Sequence, residues 1–389
     1  MKKRSYILIS ATALFLIFLC IGTILTPEVS FSENENRYLQ TAPKLRLDNV
    51  LSGRFETQAE DYLNDQIIGR NLWVKGMASI SAAFGIKDIN GVYLCDGGRA
   101  VKRVTNAEFD WERYRSNLKQ VAELRNSCEE HGKPLYMMPI PTAAYIYEIA
   151  LPQNAMRFDE DKAFAEAESV LGESLIDIRG IMQNALSENA AAQSGEERDI
   201  FFRTDHHWTG YGAYLGYRGF FEARGHDQEL LAVPSYEECS PVVLSDDFYG
   251  TLYSKVLLST LKKDSVETPQ AALEAKYEVK FNGESYDSLY FDSYLDKKDK
   301  YAVFFGGNYD KVDIKTGNGK GSLLILKDSF ANSFVPYLLE DYDEICMIDS
   351  RYYKGNIKEL AQQYDSVLVL YGIDGFAGEK LKLDTAALK

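Results

Sequence analysis

Apolar and polar positions divide the chain into an uncharged N-terminal run and a long region in which helical and strand patterns alternate. Residues 7–25 carry no charge over 19 positions, which is enough for a helix to cross a bilayer. The basic residues Lys2, Lys3 and Arg4 precede this run and favour the cytoplasmic side. We therefore predict a transmembrane signal-anchor over residues 1–26, with everything downstream outside the cytoplasm. A cleaved signal peptide is the alternative, although no A-x-A-like cleavage site follows the run.

The next part of the chain, residues 27–84, has a weaker pattern. Its first half is mostly polar and indicates a stalk. Over residues 51–84 apolar side chains recur at helical intervals, interrupted at Gly69. This spacing predicts two amphipathic helices.

The remaining residues, 85–389, have the pattern of an α/β domain. Helical spacing over 108–131 is followed by the buried-type strand 133–140, and another fully apolar strand lies at 323–326. Two further apolar runs follow, separated by a helical segment. Strands that alternate with helices in this way predict a mostly parallel sheet. A change to short, charged, β-rich segments at about 230–300 predicts an insertion in that domain.

Composition excludes some classes of function. The chain has 58 acidic and 43 basic residues, for a net charge of −15. Such a surface repels nucleic acid, which needs basic patches to neutralise its phosphates. The five cysteines show neither a CxxC motif nor paired spacing, so the sequence predicts neither a disulfide framework nor a zinc site.

The sequence Thr-Asp-His-His-Trp at 204–208 holds two of the four histidines of the chain. In an extended strand, Asp205 and His207 would share one side, where the carboxylate can accept a hydrogen bond from Nδ1 and orient a general base. His206 would then point to the opposite side and is the weaker choice for this role. A metal site built from the three residues is a less favoured alternative, because no HxxxH or HExxH spacing is present.

The best nucleophile is Ser329, at the bend between the apolar strand 323–326 and a predicted helix over 333–339. A residue at this place lies at the rim of a sheet, beside backbone N–H groups and the positive end of a helix. The N–H of Ser329, with Asn332 or a nearby glycine, could therefore stabilise an oxyanion. Without catalysis, Ser329 would be an N-cap and the Asp205–His207 pair would stabilise a turn.

Several blocks of the sequence resemble the bacterial DHHW protein family: TDHHW, FSENENRYL, NGVYL, PIPTAAYIY, DFYGTLYSK and LKDSFANSF. That family is similar to the SGNH-hydrolase-like proteins of alginate O-acetylation. The resemblance implies an SGNH-like three-layer domain with a Ser-His-Asp triad, which falls on Ser329, His207 and Asp205. One departure is Lys327, which stands where the Gly-Asp-Ser of typical SGNH enzymes has glycine.

Four further residues are candidates for substrate contact. Thr142 and Tyr145 follow the strand 133–140 and should lie at the same sheet edge as the serine. Arg203 could hold a substrate carboxylate. Asn308, beside two glycines, has the chemistry of an oxyanion donor, although a hairpin turn has the same composition.

These features together predict acyl transfer through an acyl-serine, with no cofactor. The resemblance and the predicted topology favour an O-acetyltransferase that modifies a surface or cell-wall polysaccharide, supplied with acetyl groups by a membrane-bound O-acyltransferase. The alternatives are a carbohydrate acetyl esterase and a non-catalytic envelope protein that binds polysaccharide or acts as a scaffold.

Overall fold

The computed structural model describes residues 2–32, 37–191, 198–224 and 233–383. Parts of two features predicted above lie outside these residues: the FSENENRYL segment and the start of the predicted insertion. The sequence also has a polar, alanine-rich stretch at 187–198, which predicts a loop and lies partly outside the described residues as well. The chain forms two compact units. One contains Met1–Asn90 with Tyr253–Ser259, and the other contains Gly91–Leu252 with Thr260–Lys389.

The first unit is mostly helical. Its helices are Lys2–Leu25 (α1), Leu47–Leu51 (α2), Arg54–Gln66 (α3) and Arg70–Ala83 (α4), and its short strands are Phe31–Ser32 (β1), Arg37–Tyr38 (β2) and Asp88–Ile89 (β3). Within α1, the stretch 4–25 has the length and mean hydropathy needed to cross a membrane, and by length and composition it suits either an anchor or a signal sequence. The break predicted at Gly69 separates α3 from α4, where this glycine adopts a left-handed backbone with φ of 70°.

The second unit contains the remaining elements. Its strands are Val92–Cys95 (β4), Arg99–Lys102 (β5), Leu135–Ile140 (β6), Pro241–Phe248 (β7), Asp264–Pro269 (β8), Glu278–Phe281 (β9), Glu284–Tyr286 (β10), Lys311–Lys315 (β11), Ser322–Lys327 (β12), Glu344–Ile348 (β13) and Ser366–Gly372 (β14). Its helices are Trp111–Glu129 (α5), Ala143–Ile146 (α6), Glu160–Leu171 (α7), Arg179–Ala191 (α8), Gly210–Arg224 (α9), Thr251–Val256 (α10, which ends in residues of the first unit), Gln270–Glu274 (α11), Ala331–Phe334 (α12), Ile357–Ala361 (α13) and Ile373–Gly378 (α14).

A seven-stranded sheet organises this unit, with the order β10-β9-β11-β13-β12-β14-β6. The strands β13, β12, β14 and β6 are parallel to one another. The other three strands are antiparallel to their neighbours. β9 and β10 therefore belong to the main sheet, although they lie within the segment 230–300 that the sequence assigns to an insertion.

The inner strand β12 is apolar from Leu323 to Leu326 because both of its faces are covered. Leu323 and Ile325 belong to one hydrophobic core, which includes residues of α9 and α12. Leu324 and Leu326 belong to a second core, with residues of α5, α7, α13 and α14. Side chains alternate between the faces of a strand, so a continuous apolar run is what a strand buried on both sides requires.

The segment after β12 differs from the predicted helix over 333–339. A single α-helical turn, α12, is followed by a 3-10 turn at Val335–Leu338. Pro336 contributes to this change, because it has no backbone N–H to donate to a carbonyl of the preceding turn.

Candidate active site

The Asp-His-His-Trp sequence lies on a tight loop rather than an extended strand. Phe201 and Trp208 form an isolated antiparallel bridge, and the N–H of Phe202 donates to the carbonyl of His207 at 3.1 Å. The residues between them bend sharply. The two ends of the loop are thus joined by backbone hydrogen bonds, and the residues at its tip have an irregular conformation.

Asp264, at the start of β8, holds the tip of the loop. Its carboxylate accepts hydrogen bonds from the N–H of Arg203 at 2.7 Å and of Thr204 at 2.9 Å, and from the Thr204 hydroxyl. Burial raises the pKa of Asp264 to about 6, in opposition to these hydrogen bonds. The bend therefore depends on an acid about 60 residues away in the sequence.

Ser329 lies two residues beyond the carboxyl end of β12. The preceding residue, Asp328, shapes its turn by accepting from the N–H of Phe330 at 3.0 Å and of Gly372 at 2.8 Å. Burial raises the pKa of Asp328 to about 6. This arrangement presents Ser329 at the rim of the sheet, beside the end of β14.

Trp208 joins the loop to the serine turn. Its indole N–H lies 3.0 Å from the carbonyl of Phe330 and 2.9 Å from the hydroxyl of Ser333. The ring is fully buried, and a Cβ added at Gly216 of α9 would come within 2.8 Å of it. The glycine-rich helix thus makes room for the tryptophan that sets the spacing between the two halves of the site.

The structure brings Asp205, His207 and Ser329 together. His207 Nε2 lies 2.6 Å from Ser329 Oγ, and His207 Nδ1 lies 2.6 Å from Asp205 Oδ1. Both distances are those of strong hydrogen bonds. Serine, histidine and aspartate are therefore connected in the order that activates a hydroxyl nucleophile.

Asp205 is 2% exposed, and both of its oxygens have donors. Oδ1 accepts from the backbone N–H and Nδ1 of His207, and Oδ2 accepts from the N–H and hydroxyl of Thr251 at 2.8 and 2.9 Å. Burial would raise the pKa of this carboxyl, but the adjacent histidines and the hydrogen bonds hold it well below its usual range. Asp205 is thus a fixed anion that orients His207.

The imidazole of His207 lies between two aromatic rings. Tyr301 stacks on it at 4.0 Å between ring centroids, and Phe330 packs edge-on at 5.2 Å. His206 does not point away, as an extended strand would require, because the loop bends. Its ring lies 3.9 Å from that of His207.

Lys327 is buried beneath the serine turn. Its ammonium donates to the side-chain oxygens of Asn332 at 2.7 Å and of Asn308 at 3.0 Å. An ammonium can only donate, so both amides must turn their oxygens toward it and their NH₂ groups away. Within the described part of the chain, neither the NH₂ group of Asn332 nor the backbone N–H of Ser329 donates to any acceptor. These two groups are accordingly available as donors to an oxyanion.

The other predicted contact residues have different surroundings. Arg203 donates from Nε to Asp199 at 2.6 Å, and the Tyr145 hydroxyl donates to Asp161 at 2.8 Å. Thr142 lines a small cleft next to His206. Asn308 is exposed and lies at the edge of the site through its bond to Lys327. Arg203, Tyr145 and Thr142 are thus all occupied by acidic neighbours, since the Thr142 hydroxyl also donates to Glu160 at 2.7 Å, whereas Asn308 contacts Lys327.

Asp205, His206 and His207 also have the donor types of a metal site, since one ligand atom from each lies within 4.8 Å of the others. The hydrogen bonds favour a different use. Both Asp205 oxygens accept from N–H or O–H donors, and His207 Nε2 faces Ser329. A metal would have to replace these bonds, so the geometry favours the triad.

Three residues that shape the site were not predicted from the sequence: Thr251, Tyr301 and Asp264. The only available signal was weak. Thr251 follows Gly250 in the DFYGTLYSK block, and a Cβ at Gly250 would lie 2.3 Å from that of Asp205. A glycine is required at this place in the block because its backbone packs directly against the Asp205 side chain.

Residues 179–348 match the model of the DHHW protein family. The resemblance predicted from the sequence is confirmed. The match contains both the Asp205–His207 loop and Ser329, which are the two halves of the site. No curated protein matches the chain.

Solved structures support the fold. A DHHW family protein from Eubacterium siraeum is 23% identical, with a TM-score of 0.57 over 75% of this chain and 93% of that one. PatB1 of Bacillus cereus, solved with a sulfonyl adduct, is 18% identical, with a TM-score of 0.59 over 75% of this chain and 99% of that one. The O-acetyltransferase domain of Pseudomonas putida AlgJ is 13% identical over 77% of this chain and 95% of that one, with a TM-score of 0.47. The mixed α/β fold of this chain is thus similar to that of PatB1 and the DHHW family protein.

Proposed function

We propose that this protein is an extracytoplasmic O-acyltransferase that moves an acetyl group to a polysaccharide hydroxyl through an acyl-serine on Ser329. The observation that carries the proposal is the chain of two 2.6 Å hydrogen bonds from Ser329 through His207 to Asp205. A serine hydroxyl is a weak nucleophile unless a base lies within hydrogen-bond reach and is itself oriented.

In the first half-reaction, Ser329 Oγ attacks the carbonyl carbon of an acetyl ester or thioester. His207 Nε2 takes the hydroxyl proton and returns it to the leaving group, while Asp205 stabilises the imidazolium. In the second half-reaction, a sugar hydroxyl attacks the acetyl-serine. His207 takes its proton and passes it to Ser329 Oγ as the ester bond to the enzyme breaks.

The negative charge on the carbonyl oxygen needs donors that are already in place. The backbone N–H of Ser329 and the NH₂ group of Asn332 have this role in our proposal. Lys327 supports it in two ways: it fixes the orientation of the Asn332 amide and adds a positive charge beneath the serine turn. The lysine that replaces the glycine of typical SGNH enzymes thus supports the oxyanion donors without contacting the substrate.

The acetyl acceptor and the location are inferred from the family resemblance and from the N-terminal helix. An anchor at residues 4–25 would place the second unit outside a bacterial cell membrane, beside surface or cell-wall polysaccharide. Acetyl groups would then arrive through a membrane-bound O-acyltransferase partner. The similarity of the DHHW family to the proteins of alginate O-acetylation supports the same class of acceptor.

The nucleophile can be tested on the full-length protein in detergent. After incubation with p-nitrophenyl acetate or with a sulfonyl fluoride, we expect intact mass to show one adduct, mapped to Ser329. Sulfonyl fluorides are suitable because they react with activated serines, and PatB1 was solved with a sulfonyl adduct. Ser329→Ala and His207→Ala should form no adduct, whereas Ser285→Ala, which removes an exposed hydroxyl from β10, should still form one.

The same experiment separates the alternative functions. An acetyl-enzyme that is discharged by added oligosaccharide supports transfer, and one that is discharged only by water supports a carbohydrate acetyl esterase. Absence of both adducts from the parent protein would contradict the proposal and favour a scaffold.

A further inference from the structure

The hydrogen bonds around His206 determine which of its ring nitrogens carries a proton. Its Nδ1 lies 3.0 Å from Thr251 Oγ1, and that hydroxyl lies 2.9 Å from Asp205 Oδ2. The threonine hydroxyl has a single proton, and an ionised carboxylate can only accept. The proton must therefore point to Asp205, and His206 Nδ1–H must donate to the hydroxyl. In the neutral ring, Nε2 is then left as an acceptor.

This acceptor is open to solvent. Within the described residues His206 Nε2 has no hydrogen-bond partner, and it is absent from the buried polar atoms that lack one. The side chain is 35% exposed. Desolvation and the neighbouring His207 lower the pKa of His206, which keeps the ring neutral at physiological pH.

His206 lines a small cleft whose other walls include Lys102, Thr142, Phe330 and Asp374. The Lys102 ammonium donates to Asp374 at 2.6 Å, so the two charges in the wall largely compensate each other. The cleft measures about 30 Å³, and about 10–15 Å³ is enough to hold one water. It therefore fits an uncharged polar group, such as one hydroxyl, rather than a carboxylate or a sugar ring.

We propose that His206 Nε2 accepts a hydrogen bond from a second hydroxyl of the acyl acceptor, next to the hydroxyl that attacks. This proposal rests on the proposed function and deepens it, because it makes a vicinal diol the preferred acceptor class. The rings of His206 and His207 are adjacent, with centroids 3.9 Å apart, so a hydroxyl bound by His206 belongs to the same part of the acceptor as the hydroxyl that His207 deprotonates. His206 is thus a specificity-determining residue rather than a second general base.

The protons balance under this assignment. The attacking hydroxyl gives its proton to His207 Nε2 as its oxygen bonds to the acetyl carbon, and His207 gives that proton to Ser329 Oγ as the acyl–serine bond breaks. The second hydroxyl keeps its proton throughout and only donates a hydrogen bond to His206. No oxidant or other co-reactant is needed.

The test is a competition for one acetyl-enzyme. The full-length protein is acetylated with p-nitrophenyl acetate in the presence of equal concentrations of ethylene glycol and ethanol, and the two acetate esters are quantified. Because both products come from the same intermediate, their ratio is independent of the rate of acylation. We expect the parent to favour the diol by about tenfold, the value of one hydrogen bond.

Three variants at one position provide the controls. His206→Asn keeps an amide near the position of Nδ1 but loses the acceptor, and His206→Phe keeps the ring but loses both nitrogens. Both should lower the product ratio to that set by the number of hydroxyls alone. His206→Gln places an amide oxygen near the position of Nε2 and should keep part of the preference, which a purely structural role for His206 would not explain.

The outcomes separate this proposal from the one on which it rests. If Ser329 forms no acetyl adduct, the proposed function fails and this inference fails with it. If the adduct forms but the parent shows no preference for the diol, or keeps its preference in the Asn and Phe variants, the role of His206 is refuted and the triad stands. Loss of preference in both variants with retention in the Gln variant supports it.

Discussion

Replacement of Lys327 by methionine tests whether a charge is held beneath the serine turn. Lys327 is 2% exposed, and burial lowers its pKa from 10.5 to about 8. At about 1.4 kcal/mol for each pKa unit, this lowering of the pKa corresponds to about 3 kcal/mol against the charged form in the folded protein. Lys327→Met removes this cost, but it also leaves the oxygens of Asn308 and Asn332 without their donor.

The pH dependence separates these two effects. Below pH 8 the ammonium is protonated in both folded and unfolded chains, so the cost is fully present. Between pH 8 and 10.5 the unfolded chain binds more protons than the folded one, and the stability of the wild type therefore rises with pH. Between pH 7 and pH 9.5 the wild type should gain about 2 kcal/mol relative to Lys327→Met.

The assay is urea unfolding of both proteins at pH 7 and pH 9.5, followed by tryptophan fluorescence. Burial raises the pKa of the Cys128 thiol to about 11 and that of Cys346 to about 12, so such groups ionise near this range only in the unfolded chain; they are common to both proteins and cancel in the difference. The matched control Lys280→Met removes an exposed lysine from β9. The difference in the free energy of unfolding between this control and the wild type should be nearly the same at both pH values. If the difference in the free energy of unfolding between the wild type and Lys327→Met does not change with pH, the conclusion that Lys327 is a buried ammonium is refuted.

Three further predictions concern the Asp-His-His-Trp loop. Asp205→Asn should slow sulfonylation of the serine by about 10³- to 10⁴-fold, measured as the rate of adduct formation, because the amide can no longer accept from every donor and orients His207 poorly. Gly250→Ala should abolish adduct formation and lower the unfolding midpoint, because its Cβ would lie 2.3 Å from that of Asp205; Gly180→Ala, which meets nothing within 4 Å, should do neither. Trp208→Phe should destabilise the protein by about 1–3 kcal/mol in urea unfolding, since two buried acceptors lose their donor. Unchanged rates or midpoints in these variants would contradict the corresponding contacts.

The sequence alone determined the residue types that can carry the proposed chemistry and the strands that place them. The apolar run 323–326 predicts a strand covered on both faces, and β12 has one hydrophobic core on each side. The motif pattern also predicted that Asp205, His207 and Ser329 act together, and their side chains lie within hydrogen-bond distance of one another. The strand prediction is confirmed because a buried apolar run is a property of neighbouring residues, which a single sequence displays directly.

Tertiary structure decided how those residues meet. Ser329 and His207 are 122 residues apart, and their contact depends on the packing of the Asp-His-His-Trp loop against the turn after β12, which local periodicity does not encode. The bend that turns His206 toward His207 depends on Asp264, a residue that no local pattern connects to the loop.

The burial of Lys327 also could not be predicted from the sequence, because it depends on contacts between distant segments. In the sequence Lys327 is a departure from a glycine-containing motif, and a lysine is ordinarily exposed. Only packing shows that it is buried against Asn308 and Asn332, where its charge orients two amides. Hydrogen bonds between distant segments are directional and depend on exact geometry in three dimensions, so the detailed site is a property of the fold and not of its motifs.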